Sequence, residues 1–213
     1  MGANRIVSFV QSPLIEKINR VHSFLVRLKT AIYYRRIFAA VGRHSLIYKP
    51  LLLSGTQYVK IGAGTIIRPG ARIEAIAIDP ARPPRIEIGN NVNIEQNVHL
   101  ICSSMLVIGN DVSIAPNCGI LETSHPYDAG GSPGKIGDRV NTLPTPVEIG
   151  DNTLIGLGAV ILPGVRVGPH CVIGANSTVV YDIPGHSIAV GSPAKVVKRY
   201  DFQRQRWVAV AGS

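Results

Sequence analysis

Acidic residues are scarce in this chain, and cysteines scarcer. Thirteen Asp and Glu stand against 22 Lys and Arg, for a net charge of +9. The three cysteines, Cys102, Cys118 and Cys171, are an odd set without metal-ligand spacing, and nothing about them demands an oxidising compartment. No stretch approaches eighteen uninterrupted apolar residues, which argues against a transmembrane helix. The first thirty residues lack the compact apolar run and small-residue cleavage site of a signal peptide, so a cytoplasmic location is expected. A 46% hydrophobic and 16% charged composition excludes a disordered chain, and 213 residues suffice for one domain with appendages. The few acids are unevenly placed. Residues 1–50 hold nine Lys or Arg against the single acid Glu16, so nearly all the excess charge lies there. Such asymmetry points to a segment that faces something anionic.

What the chain has in abundance is a period of six. Ile149, Ile155, Ile161, Val167, Ile173 and Val179 recur without a slip, with glycine next at Gly150, Gly156, Gly168 and Gly174. Thr153, Ala159, Val165, Cys171 and Ser177 fill a small or β-branched slot four residues after each aliphatic. The period fits neither an amphipathic helix nor a two-sided strand, and fixed periods of this kind mark solenoids. Three hexapeptides would form one coil, stacking Ile149 on Val167, Ile155 on Ile173 and Ile161 on Val179. Glycine and asparagine would take the turn conformations at the corners. Cys118 and Cys171 occupy the small-residue slot, which favours packing over thiol chemistry. The repeat is first evident at Ile61 and breaks at 74–87, around Pro80, Pro83 and Pro84. A longer break at 121–146 contains His125, and long excursions from compact domains tend to be functional or disordered. The division expected is a basic helical leader at 1–44, a repeat domain at 45–190 and a tail at 191–213.

Residues 13–29 read as an amphipathic helix, with Ser12 as cap, Pro13 in the first turn and Glu16 near the positive end of the dipole. Leu14, Ile18, Val21, Leu25 and Leu28 form its apolar stripe. It could cap the solenoid, lie on an anionic membrane or serve as a nucleic-acid arm, the last lacking any accompanying motif. The tail, with Lys198, Arg199, Arg204, Arg206 and Trp207, is read as a short helix.

The repeat, together with Thr123-Ser124-His125-Pro126, the Ile-Leu-Pro-Gly-Val run at 161–165 and Gly-Ser-Pro-Ala-Lys at 191–195, resembles the hexapeptide-repeat acyltransferases. The pattern is similar to galactoside and maltose O-acetyltransferases, and the leader to relatives that acetylate surface polysaccharides. The resemblance covers about residues 45–199. It implies an all-β solenoid wound as a left-handed parallel β-helix, against the usual right-handed crossover rule. It also implies a homotrimer and acyl transfer from acetyl-CoA, without a metal. His125 matches the catalytic histidine, which as a neutral imidazole takes the proton of the attacking hydroxyl. Asn97 matches an asparagine that touches the acceptor, although a corner residue chosen for its backbone would look the same. Glu122 and Asp128 flank the histidine, and either could orient it or bind the acceptor. Gly156 and Leu157 mark the corner whose backbone N–H would meet the oxyanion. Ala175, Val180 and Tyr181 match positions along the coenzyme A arm, and Lys195 and Lys198 match cations that meet its phosphates. Leu154 stands where relatives often carry tryptophan, and Leu157 where some carry serine.

Sugar O-acetylation is therefore the leading expectation. N-acetylation of an amino sugar or an antibiotic remains an alternative within the class. Outside it stands a zinc carbonic anhydrase-like solenoid, for which His99, His125 and His170 are the available repeat-region histidines.

Overall fold

The computed structural model describes residues 13–127 and 134–210. Ser12 and Asp128 lie outside the described residues. Each hexapeptide supplies one short strand, and strands of like phase stack in parallel to make three faces. The first face contains Ala40–Val41, Val59–Ile61, Arg85–Ile88, Met105–Ile108, Val147–Ile149 and Arg166–Val167. The second runs through Leu46–Ile47, Ile66–Ile67, Asn93–Ile94, Ser113–Ile114, Leu154–Ile155, Val172–Ile173 and Ser187–Gly191. The third contains Leu52–Ser54, Arg72–Ala75, His99–Cys102, Gly119–Leu121, Val160–Ile161 and Thr178–Val179. Ile149 pairs with Val167, Ile155 with Ile173 and Ile161 with Val179, the stacking expected from the period.

These aliphatic columns point inward and form the core, where Ile67, Ile73, Ile94, Leu100, Ile114 and Ile120 are fully buried. Each such side chain contributes about 1.5–3 kcal/mol by leaving water. The small-residue slot is buried at the corners, where a bulkier group would not fit between coils. Thr65 Oγ1 donates to the Gly89 carbonyl at 2.8 Å and accepts from Val92 N–H at 3.2 Å, so a polar residue there is satisfied. Burial pushes the Cys118 and Cys171 thiols above their ordinary range.

The corners separate two roles that the sequence merges. Glycine after the first-face aliphatic is needed for closeness: a Cβ on Gly89 would strike the Gly109 carbonyl of the next coil. The left-handed conformation falls instead on residues such as Asn91, Asn97, Asn117 and Asn152, with φ of 54°, 56°, 61° and 57°. Asparagine tolerates that region better than most side chains.

Three expectations need correction. The coil begins at Ala40, paired with Lys60, inside the segment read as leader, and Gly42 already packs on Ala63 as a corner glycine. The break at 74–87 narrows to 76–84, since strands Arg72–Ala75 and Arg85–Ile88 extend into it. The tail is not helical. Strand Ala194–Asp201 folds back antiparallel on Ser187–Gly191, and Arg206–Ala209 follows it. The open edge of Ser187–Gly191 offers unpaired main-chain groups, and pairing with them outweighs helix propensity.

The other end of the coil is closed by α1 (Leu14–Lys29), which runs into a π-helical turn at Thr30–Tyr34. Thr30 Oγ1 accepts the Ile47 N–H at 3.1 Å, and Tyr34 Oη donates to the Tyr48 carbonyl at 3.2 Å. Both are main-chain groups of the first second-face strand and the residue after it, so the helix blunts the edge. Among the described residues no helix is long and apolar enough to cross a membrane.

Candidate functional site

The site grows from the excursion between Leu121 and Val147. Its two arms are fastened in three steps. At the base, Glu122 is buried, with 1% exposure. Its carboxylate accepts from Ser103 N–H at 2.7 Å, Ser104 N–H at 2.8 Å, Ser104 Oγ at 2.6 Å and Thr145 N–H at 3.0 Å. Next, Asn141 N–H donates to the Ser124 carbonyl at 2.8 Å. Outermost, the His125 Nδ1 lies 2.6 Å from the Arg139 carbonyl oxygen. A carbonyl can only accept, so Nδ1 carries a proton, and in the neutral ring the lone pair lies on Nε2. The ring is exposed and held in the tautomer that a proton acceptor requires.

Glu122 therefore does not do what the sequence suggested. Its carboxylate contacts go to Ser103, Ser104 and Thr145 rather than to His125, and they tie the excursion's departing arm to its returning arm. Thr145, Asn141 and the Arg139 carbonyl complete the neck. Sequence reasoning missed all three, because pairing across a loop leaves no periodic mark. Cys102 is buried beside the neck, and burial with the Glu122 charge pushes its thiol up to about 12. It stays a protonated thiol at neutral pH.

The excursion at 76–84 lies alongside. Ile78, Asp79 and Arg82 share a cavity of about 40 Å³ with Ser103, Ser104 and residues 141–144. Arg82 Nε is 2.9 Å from Asp79 Oδ2, and this contact, with the Ala81 N–H, holds the Asp79 carboxyl below its ordinary value.

The other candidate residues divide between two corners. Asn97, Gly156, Leu157 and Ala175 follow second-face strands. Asn97 donates from Nδ2 to Asn117 Oδ1 at 3.1 Å in a ladder of stacked corner amides. Val180 and Tyr181 follow the third face, as the His125 excursion does, and Tyr181 is 73% exposed. Within each coil a third-face strand lies between these two corners. Lys195 and Lys198 stand exposed on Ala194–Asp201, paired with Val190 and Ile188.

His99, His125 and His170 are not grouped around one metal position. His99 lies on the third face, while His170 stacks on His186 with ring centroids 4.7 Å apart. Among the described residues no three His, Cys, Asp or Glu side chains are grouped to hold a metal.

Comparison with known proteins bears on this arrangement. The bacterial transferase hexapeptide (six repeats) pattern matches residues 146–180. The Schizosaccharomyces pombe protein named "Putative acetyltransferase C18B11.09c" is 32% identical over 155 residues, covering 66% of this chain and 72% of its own. The Escherichia coli K12 protein named "Putative lipopolysaccharide biosynthesis O-acetyl transferase WbbJ" is 27% identical, covering 85% and 91%. The chain spans about half the length of several other curated relatives it matches. Among solved structures, a variant of AntD, an N-acyltransferase from Bacillus cereus, superposes with a TM-score of 0.66 at 19% identity, over 80% of this chain and 89% of that one. With two-thirds of a 32%-identical relative matched and the six-residue coil throughout, the chain belongs to the hexapeptide-repeat transferase family.

Proposed function

We propose that this protein transfers an acetyl group from acetyl-CoA to a hydroxyl of a sugar within a saccharide or lipid-linked intermediate. The observation that carries the reading is the 2.6 Å contact between His125 Nδ1 and the Arg139 carbonyl, which leaves Nε2 free to accept a proton. The acceptor oxygen attacks the thioester carbonyl carbon as Nε2 takes its proton. The tetrahedral intermediate collapses, the carbon–sulfur bond breaks, and the imidazolium returns the proton to the departing thiolate. A backbone N–H at the 156–158 corner would stabilise the oxyanion. The pantetheine arm would run past Ala175, Val180 and Tyr181, with Lys195 and Lys198 towards the phosphates.

Because those residues occupy two corners of one prism, the reading includes a left-handed coil and a homotrimer, in which one copy's 156–158 corner meets its neighbour's His125. Asn97 reaches the acceptor from the same corner. The basic leader adds a contact with an anionic membrane surface. Acceptor screening over sugars, nucleotide sugars and lipid-linked glycans, with product mass spectrometry, tests the activity. His125→Ala should lower turnover at least about 100-fold while coenzyme A binding persists. Retained turnover would remove His125 as the base.

A further inference from the structure

Of the three uses read for the basic leader, capping the coil and lying on a membrane are compatible, because one helix has a separate side for each. The coil takes one side of α1: Val26 is buried there, and Thr30, one turn on, is fixed between the Val26 carbonyl at 2.8 Å and the Ile47 N–H at 3.1 Å. At 100° per residue the apolar stripe lies roughly 140° round the helix from that side. Leu14, Ile18, Val21, Leu25 and Leu28 accordingly remain exposed, at 73%, 52%, 50%, 54% and 45%. Lys17 and Lys29 flank the stripe on its two sides.

Such a strip could also meet a second copy of this chain. Charge decides between the occupants. Residues 13–50 carry eight Lys or Arg and one acid, Glu16, which lies 4.0 Å from Arg20. Elsewhere, Glu74, Asp79, Glu87, Glu95, Glu148 and Asp201 each sit within 4.0 Å of a nearby Arg or Lys. A second copy meeting stripe to stripe would set the same basic flanks against each other, and its exposed Asp111, Asp138, Asp151 and Asp182 lie outside that helix, whereas an anionic bilayer offers apolar depth and negative charge together.

We infer that the outward stripe of α1 docks on an anionic lipid surface while the helix's inner side stays packed on the coil. The helix lies in the interface plane: the leucine stripe enters the acyl boundary and the flanking lysines meet lipid phosphates. This deepens the surface contact assigned to the leader above and is independent of the chemistry assigned to His125.

The test is co-sedimentation of the full chain with phosphatidylcholine vesicles, with and without phosphatidylglycerol, at low and high salt. Binding should require the anionic lipid and weaken with salt. Leu25→Glu should weaken it about tenfold or more with an unchanged melting temperature, since Leu25 is not part of the coil contact. Lys17→Ala with Lys29→Ala should weaken binding at low salt. Failure of the intact protein to sediment with anionic vesicles overturns the inference, as does wild-type binding by Leu25→Glu. A change in assembly size caused by Leu25→Glu in light scattering also overturns it, by assigning the stripe to contacts between copies. Acetyl transfer to a soluble acceptor is measured in parallel, so failure of either proposal is read separately.

Discussion

A buried carboxylate without a cation is costly unless several donors surround it, and Glu122 shows how that is met at the residue scale. Its acceptor capacity is filled by main-chain N–H groups of Ser103, Ser104 and Thr145 and by the Ser104 hydroxyl. Removing it leaves those donors buried and unmatched. Glu122→Ala should therefore lower stability by about 2–4 kcal/mol in denaturant unfolding, and loosen the arm that carries His125. The sequence singles out His125 as the candidate base through the resemblance that its Thr-Ser-His-Pro run carries. Its orienting partner was not legible there. Arg139 supplies a carbonyl, which any residue could do, fourteen positions away across an irregular loop.

At the scale of the element, the hexapeptide strand is defined as much by what its corner excludes as by its aliphatic. Gly89 has no room for a side chain under Gly109. Gly89→Ala should cost more than about 2 kcal/mol, visible as a lowered unfolding midpoint, because the coils would have to part. The alternation of aliphatic, glycine and small residue revealed the strands from Ile61 onward, since each position answers to one steric demand. The first coil hid because Leu46-Ile47 and Leu52-Leu53 keep the inward aliphatics while Tyr48 and Lys49 replace the usual corner residues. The tail was misread because a run of Val, Lys and Arg carries no period of its own. The open edge of Ser187–Gly191 decides its conformation, and that edge exists only once the coil is complete.

For the whole molecule, the proposed function draws on assembly, with the candidate residues placed on two corners of the coil. Mixing His125→Ala with a variant altered at Leu157 should restore partial turnover if each site draws on two copies, provided the subunits exchange. An acetyl-CoA consumption assay on the mixture checks this, and no recovery would place the site within one chain. The helix across the first coil adds a measure of height. From the Leu52–Ser54 strand to the Gly119–Leu121 strand, where the His125 excursion departs, there are three strand spacings. At about 4.8 Å each, these span about 14 Å along the coil. With α1 flat on lipid, the base would therefore work well clear of the headgroups. Sugars held tight against the bilayer would pass beneath it, and a glycan would come within reach only once it had grown tall enough.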